Sequence, residues 1–450
     1  MAIRKLFIAN RGEIAVRINR AARSLGIATV QAASEADRDM LACRLADEVS
    51  VVGPAKASES YLNIPAMMAA ITESGADAVH PGYGFLSENP AFVQAVEAAS
   101  ITFVGPGADT IARMGDKATA RAEAIAAGVP VVPGSPGRVD GAAEALRLAP
   151  EIGYPVMVKA SAGGGGRGIR VARDAADLEK QLPLAMAEAG AAFGDNGLYL
   201  ERYIERARHI EVQVLGDGER TVHLFERECS LQRKRQKVWE EGPSSALAEE
   251  TRQRLCASAV ALAERVGYRG AGTLEYLYDD QTGEFFFIEM NTRIQVEHPV
   301  TEAITGIDLV AAQLRIAGGE TLWLTQADVI RKGHAIEVRI NAEDPARHFM
   351  PSPGTITRYE PPATGRFDTF VYEGYKVVPF YDSLLGKLIV HAETRQGALA
   401  ALEQALGSLS VEGIKTTAPL HRTLLKAPDV VAGNVNTSWL ERWMQAAKPA

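Results

Sequence analysis

Five short apolar runs recur through residues 1–113: Leu6–Ala9, Ala28–Ala32, Val49–Val52, Ala78–His80 and Ile101–Val104. Amphipathic stretches of helical period separate them. A chain that alternates strand and helix in this way buries both faces of a parallel sheet, so the pattern predicts a doubly wound α/β domain. The turn after the first run, Asn10-Arg11-Gly12-Glu13, lacks the GxGxxG spacing of a dinucleotide site, and NAD binding is rejected. His80-Pro81-Gly82-Tyr83-Gly84-Phe85-Leu86-Ser87-Glu88-Asn89 follows the fourth run and so falls at the carboxyl end of a strand, where open α/β sheets hold ligands. A plain structural turn explains the same prolines and glycines.

One helix is predicted over Asp109–Ala127, and the passage Pro130-Val131-Val132-Pro133-Gly134-Ser135 reads as a boundary. Beyond it the strand Pro155–Ala160 runs into Ser161-Ala162-Gly163-Gly164-Gly165-Gly166-Arg167-Gly168, and a strand, Ile169–Ala172, follows directly. A P-loop would place a helix after the glycines and end in GK[ST], so strand, glycine loop and strand read as a flap over phosphates. Consecutive glycines carry a heavy entropic cost on folding, reasonable where backbone amides must approach a ligand closely. A flexible linker is the competing reading, but it would lack the β-rich flanks and the basic residues Lys159 and Arg167. Lys159 can offer a compact charge to phosphate oxygens. Lys117, in Met114-Gly115-Asp116-Lys117, is a second candidate that only context can decide.

The remainder, from about residue 205, reads as antiparallel sheet, opening with His209-Ile210-Glu211-Val212-Gln213-Val214-Leu215 and a turn at Gly216-Asp217-Gly218. Arg233, Lys234, Arg235 and Lys237 then cluster; charge alone fits a solvated face and an anion-gathering patch equally. From Glu289 to Glu297 every odd position is polar, while 288, 290, 294 and 296 are apolar, so in extended chain Glu289, Asn291, Arg293, Gln295 and Glu297 share a side. A three-residue loop, Gln281-Thr282-Gly283, would join this strand to Gly272–Tyr278, pairing Tyr278 with Phe286 and hence Glu275 with Glu289. Facing carboxylates are destabilising unless a hard cation neutralises them, so Glu275, Glu289 and Asn291 read as Mg²⁺ ligands, with the phosphates of ATP completing the shell. Arg293, Lys237 and Gln295 can hold a small planar anion. Glu297 beside them is an acid–base candidate, suited to a weakly acidic oxyanion such as bicarbonate.

Composition narrows the class. A length of 450 residues predicts two or three domains, and 47% apolar with 23% charged residues is ordinary for folded chains. The net charge of −8 provides no general attraction to nucleic acid or anionic lipid. Cys43, Cys229 and Cys256 show no paired spacing, and Cys229 reads as a buried thiol. The N-terminal apolar run is too short for a signal sequence and no later run suffices for a membrane span, so a cytoplasmic protein without nucleic-acid or membrane partners is expected.

With these motifs in place, the chain resembles the biotin carboxylase family of ATP-grasp enzymes across its length. The resemblance is carried by Asn10–Ala15, His80–Asn89, Met114–Lys117, Lys159–Gly168, Gly270–Glu275, Ile288–Thr301 and Arg339-Ile340-Asn341-Ala342-Glu343-Asp344-Pro345. It implies an N-terminal doubly wound domain (1–113), a linker helix and lid (114–204), an ATP-grasp core (205–330) and a C-terminal domain (331–445). It also implies that Lys117, Lys159, Gly165 and Gly166 contact phosphates, and that Glu201, Arg202, Tyr203, Ile204 and Leu277 meet adenine. His209, Gln232 and Arg235 would border the nucleotide, and Glu275, Glu289 and Asn291 would hold Mg²⁺ or Mn²⁺. Lys237, Arg293, Gln295 and Val296 would form the bicarbonate pocket, with Glu297 as base. Arg339, with Tyr83, would meet biotin and offset the charge of its enolate.

Two positions depart from the family pattern: Arg235 replaces a usual histidine, and Ala162 a lid glycine. No Met-Lys pair occurs in the chain, so biotin is expected on a separate biotin carboxyl carrier protein, with carboxyltransferase subunits elsewhere, as in acetyl-CoA and other acyl-CoA carboxylases. The family also implies a homodimer. Another ATP-grasp ligase would keep Glu275, Glu289 and Asn291 without needing Arg293, Gln295, Glu297 and Arg339 together; a silent nucleotide-binding subunit would have lost a ligand or the base.

Overall fold

A computed structural model describes residues 2–139, 141–160, 170–193 and 197–446. Two compact units are present: Met1–Val129 with Arg208–Tyr276 and Glu289–Ala450, and Pro130–Ala207 with Leu277–Ile288. Among the described residues no helix is long and apolar enough to cross a membrane.

In the first unit, all five apolar runs become strands of one parallel sheet: β1 (Lys5–Ile8), β2 (Ala28–Ser34), β3 (Glu48–Gly53), β4 (Ala78–His80) and β5 (Thr102–Phe103), in the order β3-β2-β1-β4-β5. Strand alternation sends Leu6 and Ile8 into one core, with Ile14 and Ile18 of the helix Gly12–Ser24. Phe7 and Ala9 enter another, with Met67, Ile71, Phe92 and Val96 from the helices Ile64–Ser74 and Pro90–Ala98. Helices on both faces make the sheet doubly wound, as expected. The Asn10 amide, donating to the carbonyls of Pro81 (2.6 Å) and Tyr83 (2.8 Å), ties the turn after β1 to the loop after β4.

The helix expected over Asp109–Ala127 is two helices, Ala108–Gly115 and Lys117–Ala126. Asp116 breaks it: its backbone is extended (φ −83°, ψ 115°), and its carboxylate accepts from the Thr119 amide at 2.8 Å, an N-cap that competes with helix continuation. The break places Lys117 at the first position of the new helix.

The second unit contains an antiparallel three-stranded sheet, β6 (Val156–Ala160), β7 (Arg170–Ala172) and β8 (Leu198–Arg202), in the order β7-β6-β8. Val156, Val158, Leu198 and Leu200 form its core with Leu148, Leu178 and Leu182 of the helices Ala142–Ile152 and Ala175–Phe193. The glycine loop between β6 and β7, with Ala162, Gly165, Gly166 and Arg167, lies outside the described residues.

The large sheet comprises β9 (Ala207–Asp217), β10 (Thr221–Arg233), β11 (Gln236–Gly242), β12 (Arg269–Asp279), β13 (Phe285–Asn291), β14 (His334–Asn341), β15 (Arg366–Thr369) and β16 (Leu384–Ala392), in the order β13-β12-β9-β10-β11-β14-β16-β15. Antiparallel pairs join β9, β10, β11, β14, β16 and β15 in succession. Trp239, Ile336, Val338 and Leu388 pack from this sheet against Leu399, Leu402 and Leu406 of the helix Arg395–Ser408.

Two expectations for the β12–β13 hairpin need correction. Its loop has four residues, not three: the Asp279 amide donates to the Glu284 carbonyl at 2.8 Å and the Gly283 amide to the Asp279 carbonyl at 2.9 Å, with Gly283 left-handed at φ 72°. Asp279 therefore closes on Glu284, and the Asp279 carboxylate, accepting from the Gln281 amide at 2.9 Å, supports this wider turn. Second, the strand ends at Asn291, so Arg293, Gln295 and Glu297 are gathered by a loop that leads into the helix His298–Thr305.

Candidate active site

The cationic cluster is split by a turn. Arg233 pairs with Gln236 across β10 and β11, and the two residues between, Lys234 (φ 48°) and Arg235 (φ 65°), are both left-handed. This geometry suits strand twist but is costly for residues other than Gly and Asn. Arg233 stacks on Phe349 at 3.7 Å, while the exposed Lys234 donates its amide to Glu441 at 2.8 Å. Arg235 is exposed at the tip; Lys237 alone turns into a set of buried carboxylates.

The Lys237 ammonium donates to Glu211 (2.5 Å), Glu297 (2.6 Å) and Glu275 (2.9 Å). Burial opposes its charge, but these three carboxylates hold its pKa well above the usual lysine value. Burial likewise opposes ionisation of Glu211 and Glu275. Lys237 with Arg227 keeps the first far below the ordinary carboxylate range, and Lys237 with His209 the second. His209 Nε2 lies 3.3 Å from Glu275; burial works against the imidazolium, yet Glu275 pushes its pKa up to about 9. Glu275 Oε1 also accepts from Asn291 (3.0 Å) and Gln295 (2.9 Å).

Beneath this layer is the fully buried Arg227, which sequence reading passed over. Its guanidinium donates to Glu211 (2.6 Å), Gln213 (2.8 Å), Thr301 (2.8 Å), Gln295 (3.1 Å) and Thr273 (3.3 Å). Glu211 was passed over as well, although alternation placed it on one face of its strand with His209 and Gln213.

Glu297, 2% exposed, joins two cations: Oε1 accepts from Lys237 at 2.6 Å and Oε2 from Arg339 at 2.9 Å. Burial raises its proton affinity, but Lys237 and then Arg339 outweigh that and keep it ionised. Arg339 reaches Glu240 with its Nε at 2.7 Å, and its carbonyl accepts from Thr417 (2.9 Å) and the His421 ring (2.8 Å).

Around Glu289, burial and then the charge of Glu275 push the carboxyl pKa up, and Lys117 moderates this. The two acids thus repel each other, despite the altered hairpin turn. Arg293 bonds Asn291 Oδ1 (2.8 Å) and the unforeseen Glu88 (2.8 Å). The Val296 carbonyl accepts from the buried Lys387 at 2.6 Å. Gln232 donates to the Cys229 carbonyl at 2.8 Å, and Cys229 itself is fully buried, its thiol pKa raised by that burial. Tyr83 is half-buried, with its hydroxyl on Glu13. Hydrogen bonds and ion pairs thus connect His209, Lys237, Glu275, Asn291, Arg293, Gln295, Glu297 and Arg339, and Gln232 lies opposite Lys237 across β10 and β11; among the described residues no hydrogen bond or ion pair joins Arg235 or Tyr83 to these side chains.

In the second unit Lys159 pairs with Glu201. Ile204 and Leu277 pack with Val132, Ala207 and Phe286 in a small apolar cluster, and Arg202 lies over Phe286 at 4.8 Å. Apolar walls beside a charged edge suit a planar heteroaromatic ring. Tyr203 donates its amide to the Pro155 carbonyl at 2.8 Å. Gly165 and Gly166 lie outside the described residues.

Three family models match the chain: "Biotin carboxylase, N-terminal domain" over residues 2–111, "Carbamoyl-phosphate synthase L chain, ATP binding domain" over 116–325, and "Biotin carboxylase C-terminal domain" over 337–442. Biotin carboxylase 1 of Bacillus subtilis is 51% identical over 444 residues, covering 98% of this chain and 99% of that protein. Among solved structures, a biotin carboxylase complex from Campylobacter jejuni superposes with a TM-score of 0.90 at 48% identity, covering 98% of this chain and 99% of that one. The biotin carboxylase domain dimer of Hydrogenobacter thermophilus 2-oxoglutarate carboxylase, solved with MgADP, ADP and bicarbonate, gives 0.89 at 46% identity, covering both chains completely.

Proposed function

The chain belongs to the biotin carboxylase family, and from that premise we propose that its Lys237–Glu297–Arg339 cluster is where bicarbonate is activated and biotin carboxylated. The enzyme is a ligase that uses ATP, Mg²⁺ and bicarbonate to carboxylate biotin. The observation that carries the residue assignment is Glu297, a buried carboxylate held ionised between Lys237 at 2.6 Å and Arg339 at 2.9 Å.

A bicarbonate ion entering this cluster competes with Glu297 for Lys237. As Lys237, Arg293 and the Gln295 amide turn to the anion, Glu297 loses part of the field that keeps it ionised, and its proton affinity rises. It then takes the bicarbonate proton, and the resulting oxyanion attacks the γ-phosphorus of ATP, releasing ADP and leaving carboxyphosphate. Lys117, Lys159, Gly165 and Gly166 position the phosphates; Glu201, Arg202, Tyr203, Ile204 and Leu277 meet adenine, and His209, Gln232 and Arg235 border the nucleotide. Carboxyphosphate separates into CO2 and phosphate, phosphate removes the N1 proton of biotin, and the enolate attacks CO2. Arg339 offsets the enolate charge, and Tyr83 also meets biotin.

Glu275, Glu289 and Asn291 offer the oxygens a hard divalent cation prefers, and the Glu289 carboxyl, its pKa raised by burial and then by the charge of Glu275, fits a cation beside it. Bound Mg²⁺, or Mn²⁺, neutralises phosphate charge. Asn291 Oδ1 is engaged by Arg293 and would be released to serve it. Glu289→Gln is expected to raise the Mg²⁺ concentration for half-maximal ADP release by about tenfold or more. An unchanged requirement would remove Glu289 from the metal set.

The same reading divides the chain functionally at 1–113, 114–204, 205–330 and 331–445. It assigns biotin to a carrier protein, and passage of the carboxyl group to carboxyltransferase subunits of an acetyl-CoA or other acyl-CoA carboxylase. The enzyme works as a cytoplasmic homodimer; the dimeric Hydrogenobacter thermophilus relative supports that state. The test is ADP release with bicarbonate, with and without free biotin: biotin stimulates the wild type, and Arg339→Ala abolishes most of that stimulation, about 10²–10³-fold by analogy with lost charge stabilisation elsewhere. Stimulation that survives in Arg339→Ala would take the enolate role from this residue.

A further inference from the structure

Behind Arg339 are two acids the mechanism does not use. Glu240 on β11 and Glu337 on β14 are directly opposite cross-strand partners, and both are 0% exposed. Glu240 Oε1 accepts from Arg339 Nε at 2.7 Å; Glu240 Oε2 and both oxygens of Glu337 have no hydrogen-bond partner among the described residues. Opposed like charges are destabilising even on open strands, and burial multiplies the cost. The charged groups facing the pair are Arg339 on β14, Lys237 on β11, Lys387 on β16, and Glu297 at the start of the helix His298–Thr305. Lys237 is engaged by Glu211, Glu275 and Glu297, and Lys387 donates to the Val296 carbonyl at 2.6 Å. That leaves Arg339 as the cation bonded to the pair.

We propose that Glu240 and Glu337 share a single proton and together act as one negative charge that positions the Arg339 guanidinium, a role that rests on the biotin-facing reading of Arg339. A carboxyl oxygen with no protein donor, facing a second one across a strand pair, is what a shared proton joins. Burial pushes Glu240 up to about 7 and Glu337 well above its ordinary value, against the pull of Arg339 and Lys387 respectively. The arrangement resembles the dyads in which adjacent buried carboxyls cannot both ionise.

The sign of the pH effect follows. A carboxyl whose folded pKa is raised binds a proton in the native state that the unfolded chain has released, so stability falls as pH climbs from the unfolded value near 4.5 through about 7. Glu240→Gln and Glu337→Gln each remove one acid but leave the pair's net charge at one. Each is expected to retain biotin-stimulated ADP release within about threefold of wild type, and to flatten the decline of melting temperature across that pH range. The double variant removes the charge and is expected to lose biotin stimulation by at least about tenfold, with KM for ATP unchanged. Infrared spectra should show a protonated carboxyl band at neutral pH in the wild type that either single substitution removes. Loss of stimulation in both single variants, or absence of the band, would overturn the shared proton. Because the infrared and melting measurements need no turnover, they separate failure of this inference from failure of the assigned role of Arg339.

Discussion

Glu297→Gln is expected to lower biotin-dependent ADP release by about 10²–10⁴-fold, the range that a positioned acid–base group contributes. The substitution keeps the shape of a side chain that is 2% exposed and bonded to both Lys237 and Arg339, but removes its capacity to take a proton. Its effect should fall on kcat, with KM for ATP little altered, because the contacts of Glu297 lie with cations on β11 and β14. Retention of rate within about threefold would place the base elsewhere. The largest expected effect on stability belongs to a residue that never touches substrate. Arg227→Met deletes a fully buried guanidinium that bonds Glu211, Gln213, Thr273, Gln295 and Thr301, leaving the buried Glu211 without its guanidinium partner, with Lys237 and His209 as remaining cationic neighbours. Breaking a buried pair in this way costs about 3–5 kcal/mol, readable as a lowered midpoint in chemical unfolding of this unit. A change below about 1 kcal/mol would mean that the network relaxes around the loss.

The parallel sheet was legible because its signal is local. Leu6 and Ile8 face one core and Phe7 and Ala9 the other, and that alternation is written in four consecutive residues. The polar face of Glu289 to Glu297 was legible for the same reason, although the strand supplies only its first part. What failed depended on competition between local options. Asp116 caps a new helix where helical periodicity alone predicted continuity, and a four-residue turn replaced the expected three because Asp279 could bond the Gln281 amide. Arg227 was illegible in a stronger sense: it sits between two glutamates in a charged run, and its partners on β9, on β12 and around residues 295–301 come from distant segments. Lys237 shows the converse. Its three carboxylates are also far apart in sequence, but the left-handed turn Lys234-Arg235, which sets it apart from Arg233, lies within three residues of it. No charge pattern announces that turn, since neither residue has the Gly or Asn usually found there.

If ATP drives bicarbonate carbon onto biotin at the Glu297 cluster, the label of bicarbonate must reach biotin through that carboxylate. The most direct measurement follows radiolabelled bicarbonate into acid-labile carboxybiotin alongside ADP release, in the wild type and in Glu297→Gln. Label is expected in biotin only when ATP and Mg²⁺ are present, rising with ADP and lost with it in the variant. ADP release that leaves biotin unlabelled, or labelling that persists in Glu297→Gln, would contradict it.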